Sequence, residues 1–275
     1  MRTKRPICPY VYLFLCSLLL VACTQTPTPT VEFVHFRLVA DSSSAPLVDE
    51  LVAAYLTSRP HVTIQVEHAA NAERTLEALH ERQFDLASIS WLPEEAKTGD
   101  SALWYRPFAR DAIVMITHPT NPVGGLTLLQ LRSMFQGQTL TWDVLGGLFV
   151  DVIPVSREEG AGTRLSFEAL VMGDRDVSPT AVVMPGNDMV VEYVSATPGA
   201  IAYVSSGWLA PAINLLAVQG ATPSPASVEN GRYLLARPFY LVARAEPGGG
   251  PVEFINWVRE GAGREIVIRR YAPAP

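Results

Sequence analysis

Short segments with apolar residues at every second position alternate along this chain with longer segments in which they recur every three or four positions. Val62–Glu67 shows the first pattern, which is typical of a half-buried strand. Pro46–Ser58 shows the second, with Ser43 or Ser44 placed to cap a helix. The other predicted strands are Val31–Ala40, Phe84–Ser90, Ala112–Thr117, Val152–Val155, Ala181–Met184, Ala200–Val204, Asn214–Val218 and Tyr233–Arg244. The other predicted helices are Asn71–Gln83, Leu126–Phe135, Thr163–Met172, Met189–Ser195, Pro251–Glu260 and Gly263–Arg270. Such alternation predicts an α/β fold.

The first thirty residues carry a different pattern. Basic residues precede the apolar run Val11–Ala22, which is shorter than the roughly 20 residues of a membrane span and suits a secretory signal peptide. A small residue then precedes Cys23, as in the lipobox of bacterial lipoproteins; the alternative is a plain signal peptide with an incidental cysteine. Thr24–Thr30 alternates Thr with Pro and predicts an extended tether. We therefore expect a signal peptide over 1–22, a lipidated Cys23 with a tether over 23–30, and a membrane-anchored domain on the extracytoplasmic face.

Composition narrows the function classes. A formal net charge of −6 argues against a nucleic-acid partner. Two of the three cysteines lie in the predicted signal peptide, which leaves no pair for a disulfide framework. The five histidines are scattered, and no metal motif, nucleophile elbow or Ser–His–Asp order is visible. From these features we expect a protein that is not an enzyme and that binds no cofactor.

The most informative stretch is Asp151–Phe167. The apolar strand Val152–Val155 leads into Arg157, a Gly-Ala-Gly-Thr-Arg turn and a helix. A helix start offers free N–H groups and a partial positive charge, so with Arg157 it predicts an anion site. The alternative is an ordinary strand–loop–helix connection. Two further strand–turn–helix junctions, Asp41–Pro46 and Ala69–Arg74, have the same form, and ligands of open α/β sheets bind at such strand ends.

Several ordered segments resemble the substrate-binding lipoproteins of phosphate ABC transporters, within the type 2 periplasmic binding protein superfamily. The segments are Ser42–Leu47, Phe84–Ser88, Asn121–Val123, Leu126–Trp142, Arg157–Arg164, Pro198–Val204 and Asn230–Leu241. The resemblance implies two α/β lobes joined by two crossing strands, with the ligand between them. It places lobe one at 31–111 plus 237–275 and lobe two at 112–236. It also implies a monomer that delivers phosphate, or a related protonated oxyanion, to ABC permease subunits.

The resemblance carries over some ligand contacts. An aspartate that accepts the proton of hydrogen phosphate matches Asp85, although Asp85 could instead cap its strand end. A phosphate-binding arginine, whose planar fork suits an oxyanion, matches Arg157, while Arg164 fits a helix surface or an interlobe contact better. The implied ligand-binding residues are Ser43, Ser44, Asp85, Arg157, Gly162 and Thr163.

Other positions depart from the family pattern. Ala72 and Ala161 stand where the family has serines on phosphate, Glu73 replaces a glycine, and Trp91 stands where an arginine is common. Two lost hydrogen bonds to a charged group predict weaker phosphate binding. Glu73 either faces the cleft and repels an anion, pairs with Arg74 or Arg157, or complements the dipole of its own helix. The alternative function is therefore a divergent binding or sensor module for a different ligand.

Overall fold

A computed structural model describes residues 33–98 and 103–274, which form one compact unit. The predicted signal peptide, Cys23 and tether lie outside the described residues. The strands are β1 Val34–Asp41, β2 Val62–Ala69, β3 Leu86–Ile89, β4 Trp104–Thr117, β5 Gly125–Leu126, β6 Ile153–Arg157, β7 Val182–Met184, β8 Ala200–Ser205, β9 Asn214–Leu215, β10 Ala217–Val218, β11 Ala236–Ala243 and β12 Ala272–Pro273. The helices are α1 Ala45–Thr57, α2 Ala72–His80, α3 Leu128–Phe135, α4 Gly162–Phe167, α5 Asn187–Ala196, α6 Pro225–Glu229, α7 Gly249–Glu260 and α8 Ala262–Arg270.

Two lobes share the long strand β4. Its first part pairs with β11 as far as Ala112, next to the parallel strands β3, β1 and β2. From Ile113 onward it pairs instead with β8, which continues to the parallel strands β6 and β7. The strands β4 and β11 therefore join the lobes, which confirms the predicted α/β, two-lobed architecture.

Each lobe has its own apolar core. In lobe one, helices α1 and α7 cover the sheet, and Tyr55 meets Phe254 edge-on at 5.1 Å between ring centroids. In lobe two, Phe167 stacks on Tyr203 at 4.1 Å between ring centroids, in the same core as the fully buried Trp142. Because each core buries its own large aromatic side chains, each lobe is stabilised by packing within itself. Among the described residues, no helix combines the length and apolar character that crossing a bilayer requires.

The longer elements agree with the sequence patterns except at a few ends, whereas the short elements β5, β12 and α6 were not predicted. Strand β4 begins at Trp104, eight residues before the predicted start. The pattern fails there because Pro107 and three charged residues interrupt it. Pro107 is accommodated at a register shift in the pairing with β11, where a missing N–H costs little. Asn71 caps α2 by accepting from the Arg74 N–H, and Gly186 is the N-cap residue of α5, with Asn187 as the first residue of that helix.

Candidate anion-binding site

Two loops meet where the carboxyl ends of the lobe-one and lobe-two strands face each other. The serine loop, Ser42–Ser44, follows β1, and the arginine loop, Arg157–Gly162, follows β6. The Ser43 hydroxyl lies 2.8 Å from the Thr163 hydroxyl, in a hydrogen bond between the lobes. The Arg157 Nη2 donates to the Ser42 Oγ at 3.2 Å, a second bond across the boundary. The two strand ends thus place hydroxyls and a guanidinium around one point, as expected for parallel sheets.

A buried aspartate holds the serine loop in place. Asp41 is the last residue of β1 and is 1% exposed. One carboxylate oxygen accepts from the Ser43 and Ser44 N–H groups at 3.1 and 2.9 Å. The other accepts from the Ser90 N–H at 2.7 Å and from the Ser90 hydroxyl. Because four donors already occupy it, the Asp41 carboxylate orients the loop and has little capacity left for a ligand proton.

Arg157 is fully buried and is the principal cation at this point. Its Nε and Nη2 bind the Glu158 carboxylate at 2.8 and 2.9 Å in a two-point contact. Its Nη1 is buried and has no hydrogen-bond partner within the described part of the chain. A buried donor without an acceptor is costly, so this N–H is suited to an incoming oxygen atom.

Gly162 and Gly160 are required by close packing around the arginine loop. A Cβ at Gly162 would collide with the Ser90 hydroxyl, so only glycine allows this contact between the lobes. Gly160 has φ +75°, in the left-handed region that favours glycine, and a Cβ there would meet the Glu73 carboxylate. The first turn of α4 also leaves N–H groups without intrahelical acceptors at this point.

A second buried arginine reaches the same place from the joining strands. The Arg237 Nη2 donates to the Thr163 hydroxyl at 3.0 Å and to Asp111 Oδ2 at 3.1 Å. Asp111 and Arg237 lie directly opposite each other on β4 and β11. The Ser206 N–H and hydroxyl donate to the other Asp111 oxygen. Complete burial raises the pKa of the Asp111 carboxyl, although Arg237 and Ser206 oppose that rise.

The structure brings together four of the six predicted ligand residues: Ser43, Arg157, Gly162 and Thr163. Ser44 is adjacent, but its hydroxyl donates to the Ser88 and Asp41 carbonyl groups inside lobe one. It is the N-cap residue of α1 by position only, since its side chain makes no capping bond. The Ser44 hydroxyl therefore points away from the cations.

The prediction that Asp85 faces the ligand is wrong. Asp85 precedes β3 and its carboxylate accepts from the Arg37 N–H at 2.8 Å. Arg37 is four residues before Asp41 on β1, so at about 3.3 Å per residue Asp85 lies roughly 13 Å from the strand end that carries the serine loop. Asp85 is exposed and lies at the opposite end of the strands, which agrees with its alternative role as a strand-end cap.

Sequence reasoning missed Asp41, Ser42, Glu158 and Arg237. Asp41 and Arg237 carried a visible signal, since each is a charged residue in or at the end of an otherwise apolar strand. Such a charge is expensive to bury unless a specific partner is present. Glu158 had no such signal, because an acidic residue in a turn is ordinarily solvated. No group of three or more His, Cys, Asp or Glu side chains arranged for a metal is present in the described ranges.

Glu73 lies at the edge of the site. Its carboxylate lies against Gly160 of the arginine loop, and the neighbouring Asn71 side chain donates to the Glu159 carbonyl at 3.2 Å. Arg74 pairs with Glu77 and Arg157 with Glu158, so neither arginine takes Glu73 as its partner. Glu73 is both a first-turn acid of α2 and a negative charge beside the anion site.

Known proteins with similar sequences and folds exist. The family model described as a PBP superfamily domain matches residues 24–260. The chain is 27% identical over 267 residues to the phosphate-binding protein PstS of Pseudomonas aeruginosa, covering 86% of this chain and 82% of that protein. It is similar to the crystal structure, with bound phosphate, of a protein from Clostridium perfringens described as a phosphate ABC transporter substrate-binding protein. That match has a TM-score of 0.81 and 25% identity, and covers 88% of this chain and 100% of the other. An ABC-type phosphate transport receptor from Vibrio cholerae shares the fold, with a TM-score of 0.71, 24% identity, and coverage of 87% and 100%.

Proposed function

Because the chain belongs to the PBP superfamily, as a divergent relative of phosphate-binding proteins, we propose that it captures phosphate outside the cytoplasm and delivers it to an ABC permease. The observation that carries this proposal is the buried Arg157 with a free Nη1 between two lobes. The proposed role is binding without catalysis.

The proposed phosphate contacts come from both lobes. Arg157 supplies Nη1 and the Ser43 and Thr163 hydroxyls, now bonded to each other, supply two more donors. The Gly162 backbone N–H completes the lobe-two side of the site. These donors are held on strand ends or a helix start, and Glu158 holds the Arg157 side chain, so little conformational entropy is lost on binding.

Closure of the lobes would remove the anion from water. We place the lobe boundaries at 111/112 and 236/237, within one residue of the point where β4 exchanges β11 for β8, after Ala112, and of the start of β11 at Ala236. The bonds from Ser42 and Ser43 to the arginine loop and to Thr163 cross this cleft. Opening would break them and expose the donors to a ligand, in a hinge motion.

The direct test of this function is calorimetric titration of the purified protein with phosphate, arsenate and sulfate. We expect binding of phosphate and arsenate and weaker binding of sulfate. The carboxylate of Glu158, which is paired with Arg157, can accept a hydrogen bond from a protonated oxygen of the anion but repels a fully ionised anion. Equal affinity for all three anions would contradict the proposal that the site selects anions with a protonated oxygen. Binding of none of them would refute the function.

The proposed membrane anchor rests on Cys23 and the sequence before it. Cys23→Ser is expected to move the protein from the membrane fraction to the soluble extracytoplasmic fraction, because a lipid chain on Cys23 is the proposed attachment. Fractionation with alkaline washing measures this change. Retention of the variant in washed membranes would contradict lipid anchoring and indicate an uncleaved apolar segment.

Glu73 is expected to weaken phosphate binding. Glu73→Gln removes a negative charge beside the arginine loop while keeping the side-chain size, so we expect phosphate to bind about threefold or more tightly, a gain of roughly 0.7 kcal/mol or more. Calorimetric titration measures the difference. Glu192→Gln, on α5 of lobe two, is the control and should leave the affinity unchanged. An unchanged affinity in Glu73→Gln would mean that Glu73 acts only on its own helix.

A further inference from the structure

A cavity of about 210 Å³ lies beside the anion site, between the lobes. Lobe one contributes the aromatic residues Trp91 and Tyr240 and the ion pair of Lys97 with Glu94. The Lys97 Nζ lies 5.9 Å from the centre of the Tyr240 ring. Lobe two contributes Ser166 and Ala169 from the helical segment that follows the arginine loop. Because both lobes line the cavity, its shape exists only when they are together.

Arg237 connects this cavity with the anion site. It lines the cavity, is 4% exposed, and donates from Nη2 to the Thr163 hydroxyl. Its Nη1 is buried and finds no acceptor in the part of the chain that the structure describes. The guanidinium thus has a free donor at the border between the two spaces, which suits an oxygen of an anionic head group.

Contacts between the lobes separate the cavity from the anion site. Ser43 of lobe one bonds Thr163 of lobe two, and Ser90 of lobe one lies against Gly162 of lobe two. When the lobes separate, these contacts are lost and the cavity and the anion site become one cleft. A ligand larger than phosphate could then be enclosed, with its head group at the arginines and its remaining part in the cavity.

We propose that this site takes a phosphate monoester or phosphonate with a small aromatic or apolar substituent, an inference that rests on the proposed phosphate-binding function. The phosphoryl group lies between Arg157 and Arg237, and the substituent lies between Trp91 and Tyr240. Inorganic phosphate has no group that could use these aromatic residues, whereas an aromatic ring gains both buried apolar area and ring contacts there.

The test compares inorganic phosphate with phenyl phosphate by calorimetric titration of protein purified from cells expressing the full chain. Wild type is expected to bind phenyl phosphate at least tenfold more tightly. Ala169→Leu places a larger side chain at the cavity edge and should abolish this preference while leaving phosphate affinity unchanged. Ala53→Leu, the same change at an exposed position of α1, should retain the preference.

A second variant covers the case in which leucine at 169 turns toward solvent. Trp91→Ala removes an aromatic residue of the cavity and should lower the phenyl phosphate preference at least fivefold. Loss of preference in either cavity variant, with phosphate binding intact, supports the inference. Equal wild-type affinity for the two ligands, or a preference that survives both changes, overturns it and leaves phosphate capture standing. Binding of neither ligand overturns both.

Discussion

Arg157→Ala is expected to abolish the stabilisation of this protein by phosphate. At 100 times its Kd, a ligand stabilises a protein by about 2.7 kcal/mol, a rise of roughly 5–10 °C in melting temperature for a chain of this size. Removing the buried guanidinium deletes charge-assisted hydrogen bonds of about 1.5–3 kcal/mol each, so the affinity should fall at least about 100-fold. Thermal unfolding with and without phosphate measures both quantities.

Two variants control for the loss of charge and of packing. Arg157→Lys keeps the charge but loses the planar guanidinium, and should retain part of the rise in melting temperature with phosphate. Arg132→Ala removes a lobe-two arginine whose Nε donates to the Val171 carbonyl, and this variant should retain the full rise in melting temperature with phosphate. The Glu158 side chain is 20% exposed, so it can turn to water when Arg157 is removed, and the apo protein should remain folded. A full shift in Arg157→Ala would exclude this arginine from the ligand.

Arg237→Met is expected to destabilise the fold more than any surface change. It leaves Asp111, a completely buried carboxylate, without its cation, and breaking a buried ion pair in this way costs about 3–5 kcal/mol. Urea unfolding at neutral pH measures the loss. Arg269→Met, which removes one partner of the exposed pair with Glu50, is the control and should cost less than about 1 kcal/mol.

The cost of Arg237→Met should depend on pH in a defined direction. Burial raises the pKa of Asp111 in the folded state, and losing Arg237 raises this pKa further. The folded state then holds a proton that the unfolded state releases near pH 4, so stability falls as pH rises from there toward the folded pKa. The deficit relative to wild type should therefore be larger at pH 7 than at pH 4. A deficit that does not change with pH would mean that Asp111 does not titrate with folding.

The arginine loop could be predicted because its information is local. A strand, a cation, a glycine turn and a helix start follow one another within Asp151–Phe167, and three of the four predicted residues that meet at the site, Arg157, Gly162 and Thr163, come from this stretch. The lobe-one side was harder. Three consecutive serines follow β1, and only the structure shows that Ser42 reaches Arg157, Ser43 reaches Thr163 and Ser44 turns inward.

The sequence by itself determined the α/β fold, most element boundaries and the position of the main cation, because periodicity and turn chemistry act between near neighbours. Only the tertiary structure decided which end of β3 faces the site, since strand polarity places Ser90 beside Asp41 and Asp85 at the far end of the strand. Only it paired Arg157 with Glu158 and Arg237 with Asp111. Those pairs follow from burial, because a charge removed from water must find a partner, and the partner depends on which strands and loops meet in space.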